Sequence, residues 1–138
     1  MTDELDLVLD HVTLSVADLD ATKAFYGALL APLGVSLVGE ASAEQSGTVA
    51  FAGFGIGRKG QLWIAGNGRQ SPEAHICFGA RSRADVRAFH SAGVAAGGKD
   101  NGAPGIRENY HPAYYAALVI DPEGQNIEAV CFEPEASE

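Results

Sequence analysis

At 138 residues, 46% of them hydrophobic, the chain has the size of one domain and enough apolar material for a sizeable core. Nine basic residues against eighteen acidic ones leave a net charge of −9, which repels nucleic acid and anionic membrane surfaces and argues against both as partners. The opening Met1-Thr2-Asp3-Glu4-Leu5-Asp6 lacks the basic and apolar regions of a signal peptide, and no apolar run approaches the roughly 20 residues of a membrane span, so a cytoplasmic protein is expected.

The first element in chain order is a strand over Leu9 to Val16, where alternation puts Val12, Leu14 and Val16 on one side and His11, Thr13 and Ser15 on the other. Asp18 or Asp20 can cap the helix that follows, whose Ala24, Phe25, Ala28 and Leu29 recur at helical spacing before Pro32 and Gly34 stop it. Three short strands are expected next, at about 36–40, 48–54 and 61–65. Gly55-Ile56-Gly57-Arg58-Lys59-Gly60 has the spacing of a dinucleotide-binding loop, but a strand-like Gln61-Leu62-Trp63-Ile64-Ala65 follows it, so it reads as a hairpin.

A second strand of the opening type runs from His75 to Gly79. Ser82-Arg83-Ala84-Asp85 resembles a capping box ahead of Val86, Phe89 and His90, with Gly93 as the expected stop. Strands at about 106–108, 114–120 and 126–132 complete the series, and the acidic tail from Glu133 is expected to fray. The two cysteines, Cys77 and Cys131, have no metal or redox spacing and read as buried free thiols.

The order is the same twice because the sequence repeats. Shifted by 64 residues, His11 falls on His75, Phe25 on Phe89, Gly34 on Gly98 and Gly60-Gln61 on Gly124-Gln125, with no gap introduced. A copied supersecondary unit packs its copies together to bury what neither buries alone. The copied histidines are then related by a pseudo-twofold axis.

Leu9-Asp10-His11-Val12, the helix with Phe25-Tyr26 and the closing Asp121-Pro122-Glu123-Gly124-Gln125-Asn126-Ile127-Glu128 resemble the vicinal oxygen chelate superfamily, which includes glyoxalase I, the fosfomycin and bleomycin resistance proteins and the extradiol dioxygenases. Asn101-Gly102-Ala103-Pro104-Gly105 and Tyr110-His111-Pro112-Ala113-Tyr114-Tyr115 are similar to an uncharacterised glyoxalase-like branch. The resemblance covers residues 8 to 132. It implies an α+β domain over 1–138, built of two tandem βαβββ modules at about 8–66 and 73–132 that form an open, cupped mixed sheet. It further implies a divalent metal (Fe, Mn, Zn or Ni) and a homodimer.

Metal ligands in the family stand on the first strand of each module and on the last strand, here His11, His75 and Glu128. Strand parity agrees, since His11 lies on the polar side of its strand and Glu128 faces away from Ile127 and Ala129. Two imidazoles and a carboxylate with open positions suit a first-row divalent ion. The fourth family position, counted through the repeat, is Ile64, which weakens glyoxalase I itself because a carboxylate is expected there. No basic residue follows Glu128 to hold a phosphonate, which lowers the fosfomycin reading, and many extradiol enzymes are about twice this length.

Glu108, Tyr110, His111 and Tyr115 are the acid/base candidates near the tyrosine-rich loop, and Glu128, His111 and Tyr115 form the expected catalytic set. Arg107 has a better case than Arg58 or Arg69 for holding an anion, because it precedes that loop. Trp63 reads as core, and His90 as an exposed helical side chain. The functional expectation is a metal-dependent lyase, isomerase or dioxygenase acting on an oxygen-rich small molecule. The alternative is a metal-free module that binds or sequesters one, of the bleomycin-resistance type. An accessory subunit with a protein partner is the weaker third.

Overall fold

The computed structural model describes residues 8–135. The readings of Met1 to Asp6 and of the tail beyond Glu135 lie outside those residues. The elements run β1 (Val12–Ser15), α1 (Leu19–Leu30), a 3-10 turn (Ala31–Leu33), β2 (Ser36–Ala41), α2 (Ala43–Ser46), β3 (Phe51–Ile56) and β4 (Lys59–Ala65). The second series is β5 (His75–Gly79), α3 (Arg83–Ala95), β6 (Lys99–Ile106), β7 (Tyr115–Ile120) and β8 (Asn126–Cys131).

Each module closes its own four-stranded mixed sheet, ordered β1-β4-β3-β2 in the first and β5-β8-β7-β6 in the second. The outer strand of each, β1 or β5, runs parallel to the module's last strand, and the other pairings are antiparallel. The expected α+β class with two tandem βαβββ modules is therefore what forms, with no closed barrel. The sheet comes in two separate parts, because β1 and β5 remain edges.

Asp18 accepts the Ala21 amide at the start of α1, and Ser82 accepts the Asp85 amide at the start of α3, each satisfying one orphan donor of its helix. Both helices turn one apolar stripe inward. Phe25, Leu29 and Leu30 from α1 join Val86 and Phe89 from α3, Leu14, Phe54, Leu62 and Ile64 from the first sheet, and Val119, Ile127 and Ala129 from the second in one continuous core. At about 25 cal/mol per Å² of apolar surface, this shared burial is the main force joining the modules.

Gly93 does not stop α3, which continues to Ala95. It is buried where α3 meets α1, and a Cβ there would come 2.7 Å from Leu29 Cδ1. Gly97 ends the helical path instead, at φ 103°. The sixth strand is also longer than expected, starting at Lys99 rather than near residue 106. It is an edge strand with register shifts around Gly102, and at an edge the glycines and Pro104 of a loop-like sequence are tolerated.

A clasp binds the β7–β8 loop to the first module. Asp121, buried, accepts the Tyr26 hydroxyl at 2.5 Å, the Gln125 side-chain amide at 2.5 Å and the backbone amides of Glu123 and Gln125 at 2.9 Å each. Glu123 reaches back to accept the Ala17 and Asp18 amides at 2.8 and 3.1 Å, just ahead of α1. Among the described residues, no helix is long and apolar enough to cross a membrane.

Candidate functional site

Strand parity sorts the second sheet into a helix-facing side and an open side. Ile127 and Ala129 of β8 pack into the core, so Glu128 between them must face the open side. It is nevertheless only 4% exposed. Cys77 on β5 and Leu118 on β7 stand directly across from it, and His75 lies one step along the same face as Cys77.

Both oxygens of that carboxylate are engaged. His75 Nε2 lies 2.8 Å from Oε1, and the Tyr114 hydroxyl donates to Oε2 at 2.7 Å. With Glu128 ionised, His75 must carry its proton on Nε2 to donate to it. Burial, and then the Glu128 carboxylate, push the Tyr114 hydroxyl above its ordinary value, so it stays protonated and keeps donating. The same two causes, in the same order, push the Cys77 thiol up to about 12.

A cavity of about 610 Å³ opens over this group, lined by His75, Arg107, Tyr110, Tyr114, Asn126 and Glu128 among others. Arg107, just past the end of β6, is fixed by that strand: its guanidinium donates to the carbonyls of Gly105 and Ala103 at 2.8 Å each. That orients the cation before any ligand arrives. Of the three arginines considered from sequence, Arg107 is the one that lines this cavity; Arg58 and Arg69 do not.

The first sheet is built the same way and carries different groups. His11 and Thr13 face its open side, together with Phe51 and Trp63 around a cavity of about 310 Å³. His11 Nδ1 is 2.7 Å from Asp10 Oδ2, and Lys59 grips the other Asp10 oxygen. The register shows which residue stands in the place of Glu128. Cys77 pairs with Glu128, and Thr13, its repeat equivalent, pairs with Trp63. Trp63 therefore holds the fourth family position; Ile64 pairs with Leu14 and lies in the core. Gly53 and Leu118 are the partners of Trp63 and Glu128, so β3 and β7 already stand 65 residues apart, and the gapless 64-residue repeat slips by one residue between the helix and the last two strands of the module. The β3–β4 connection is the expected hairpin, with Gly57 at φ 68°.

Several expected site residues lie elsewhere. Tyr115 starts β7 on the side of Ala117 and Val119, which is the helix side, and its ring lies against Arg83 and Arg87 of α3. Its neighbour Tyr114 is the residue that meets Glu128. His111 accepts the Ala113 amide at 2.9 Å and packs edge-on against Phe132, so it braces the loop and does not reach the carboxylate. Glu108 is exposed in the same loop, away from the cavity lining. His90 is partly covered and pairs with Asp100 at 2.9 Å. Cys131 is buried, but Cys77 is exposed on the open face.

Of the expected ligands, His75 and Glu128 come together and His11 does not join them. It lies on the other sheet, tied to Asp10, because β1 and β5 are edges of separate sheets. Among the described residues, no three His, Cys, Asp or Glu side chains gather as a metal site would require. The donor set of one chain thus does not fit the three-ligand metal that the resemblance implies.

The family model for the Glyoxalase/Bleomycin resistance protein/Dioxygenase superfamily matches residues 8–129. The chain belongs to that superfamily. Among solved structures, this glyoxalase-superfamily chain is similar to a glyoxalase/bleomycin resistance protein from Albidiferax ferrireducens T118, with 30% identity and a TM-score of 0.73 over 93% of this chain and 100% of that one. A glyoxalase/bleomycin resistance protein/dioxygenase family enzyme from Burkholderia phytofirmans PsJN shares the fold at 19% identity and a TM-score of 0.66, covering 91% and 98% of the two chains. Glyoxalase I from Zea mays shares it at 18% identity and a TM-score of 0.68, over 94% of this chain and 45% of that one. No curated protein matches the chain.

Proposed function

We propose that this glyoxalase-superfamily protein binds an oxygen-rich small molecule on the open face of its second module, with Glu128 as the group that exchanges protons with it. The observation that carries this reading is the buried Glu128 carboxylate, held from one side by His75 and from the other by Tyr114. A carboxylate with two such partners stays aimed while a ligand oxygen replaces one of them. The neighbouring Arg107 supplies positive charge for an oxyanion that develops nearby. Lyase, isomerase and dioxygenase chemistry all use these elements, and so does simple sequestration.

Amide spectra recorded while catechol, lactate or methylglyoxal is added test the reading. Saturable shifts confined to the second module are expected with at least one of them, weakened about tenfold or more by Glu128→Gln. Absence of saturation with all three would sink it. Glu108→Ala should leave the binding unchanged.

A second reading is a divalent metal held partly by His75 and Glu128. It is favoured by their 2.8 Å approach, close to the separation of two neighbouring ligands on one ion, and by the exposure of His11 at the matching register of the first module. One chain offers two of the three donors, so this reading needs His11 from a second copy. Titration with Mn(II), Fe(II), Zn(II) and Ni(II) separates the two. Binding that requires both His11 and His75 supports the metal, and no saturable binding of any of the four removes it.

A further inference from the structure

Trp63 was expected in the core, yet its indole lies on the open face of the first sheet, in the register position that Glu128 occupies in the second. The sheet beneath it is cleared of side chains. A Cβ at Gly53 on β3 or at Gly60 on β4 would overlap the indole ring, and one at Gly39 on β2 would sit 3.6 Å from it. Glycine inside a strand marks a place where something must approach the backbone closely, and here that something is a flat ring. Phe51 meets the indole edge-on, at a centroid distance of 5.6 Å and an interplanar angle of 74°, which fixes it from the side. The rest of the ring is half-buried and borders the cavity of about 310 Å³ with His11 and Thr13. The depression is shallow and open to solvent, so a guest ring would lie on the indole and not be enclosed.

We propose that this face is a stacking site for an uncharged planar aromatic or heteroaromatic ring, with Trp63 as its floor and Phe51 as its wall. A rigid indole presented flat loses little freedom when a second ring stacks on it, and stacking needs no charge on the guest. The local charges are already paired, since Asp10 is held by His11 and Lys59. The net charge of −9 disfavours an anionic guest. The two modules thus carry different recognition chemistry on equivalent faces, aromatic in the first and polar in the second. This site does not depend on the Glu128 reading, and the experiment keeps the two apart.

Trp63 is the single tryptophan of the chain, so it gives one indole N–H resonance that reports on this face alone. Addition of 2-naphthol to the intact protein should move that resonance upfield in a saturable way. Decahydro-2-naphthol, similar in size but not planar, should bind at least about fivefold more weakly. Trp63→Leu should abolish 2-naphthol binding seen at the Thr13 and Phe51 amides, and Gly53→Ala, which lifts the ring, should weaken it. His75→Gln should leave it unchanged even if it destroys binding at the polar face. Non-saturating movement, equal affinity for the two naphthols, or full binding by a folded Trp63→Leu variant would each overturn the proposal. Should the variants fail to fold, the comparison of the two naphthols on the wild-type protein decides.

Discussion

Cys77 shows how one buried charge governs its neighbours. Its thiol is on the open face, but burial of its surroundings and the Glu128 carboxylate beside it hold its pKa near 12, so almost no thiolate exists at neutral pH. It should react with an aromatic disulfide reagent at pH 8 at least about tenfold more slowly than free cysteine. Glu128→Gln removes the repelling charge, lowers the thiol pKa and should speed the reaction. Equal rates in the two proteins would show that the carboxylate does not act on the thiol. Tyr114 and Tyr115 teach the complementary lesson about legibility. Tyr115-Ala116-Ala117-Leu118-Val119-Ile120 is apolar on both sides, so the sequence carries no alternation to say which tyrosine faces Glu128. Only the pairing of Leu118 with Glu128 settles it.

At the scale of elements, two joints hold the modules together. Gly93→Ala improves helix propensity by about 1 kcal/mol but drives a methyl group to 2.7 Å from Leu29 and 3.2 Å from Val119, both within the core. The overlap should win, with a net loss of roughly 1 kcal/mol in a urea melt. A gain in stability would mean that α1 and α3 pack more loosely than this geometry. The second joint is the clasp from the β7–β8 loop to α1. Burial acts to raise the Glu123 carboxyl, but the Ala17 and Asp18 amides outweigh it, and its pKa ends below the ordinary value. A carboxyl lowered on folding contributes its stability above the unfolded value, ~4.3, and loses it as pH falls through the folded value. The melting temperature should therefore drop as acid is added below about pH 4.3, and less steeply in Glu123→Gln. Parallel curves for the two proteins would remove Glu123 as the cause.

For the whole molecule, the open edges of β1 and β5 and the apolar residues near them call for cover. A cleft of about 290 Å³ lies between these strands, lined by Val12, Phe54, Leu62, Ile76 and Phe78 among others, and Leu9 and Ile56 at its rim are 73% and 52% exposed. A twofold dimer covers such edges without generating an open chain of contacts. The expected outcome by light scattering at micromolar concentration is a mass near twice 14.3 kDa. A monomer at all concentrations would remove the dimer and, with it, the metal reading that borrows His11 from a second copy. The polar face of the second module and the stacking face of the first would be untouched.

The sequence by itself determined the duplication, the superfamily, the faces of His75 and Glu128 and, apart from α2, the order of elements in each module, because strand parity and a copied motif are local properties that survive without coordinates. The tertiary structure decided what depends on register and on which edges meet. It moved the fourth family position from Ile64 to Trp63, since one extra residue ahead of β7 slips the last two strands by one and a slip of one exchanges the two faces of a strand. It separated His11 from His75, since the repeat shows that two strands are equivalent but not that they are neighbours, and here they edge two different sheets joined through their helices.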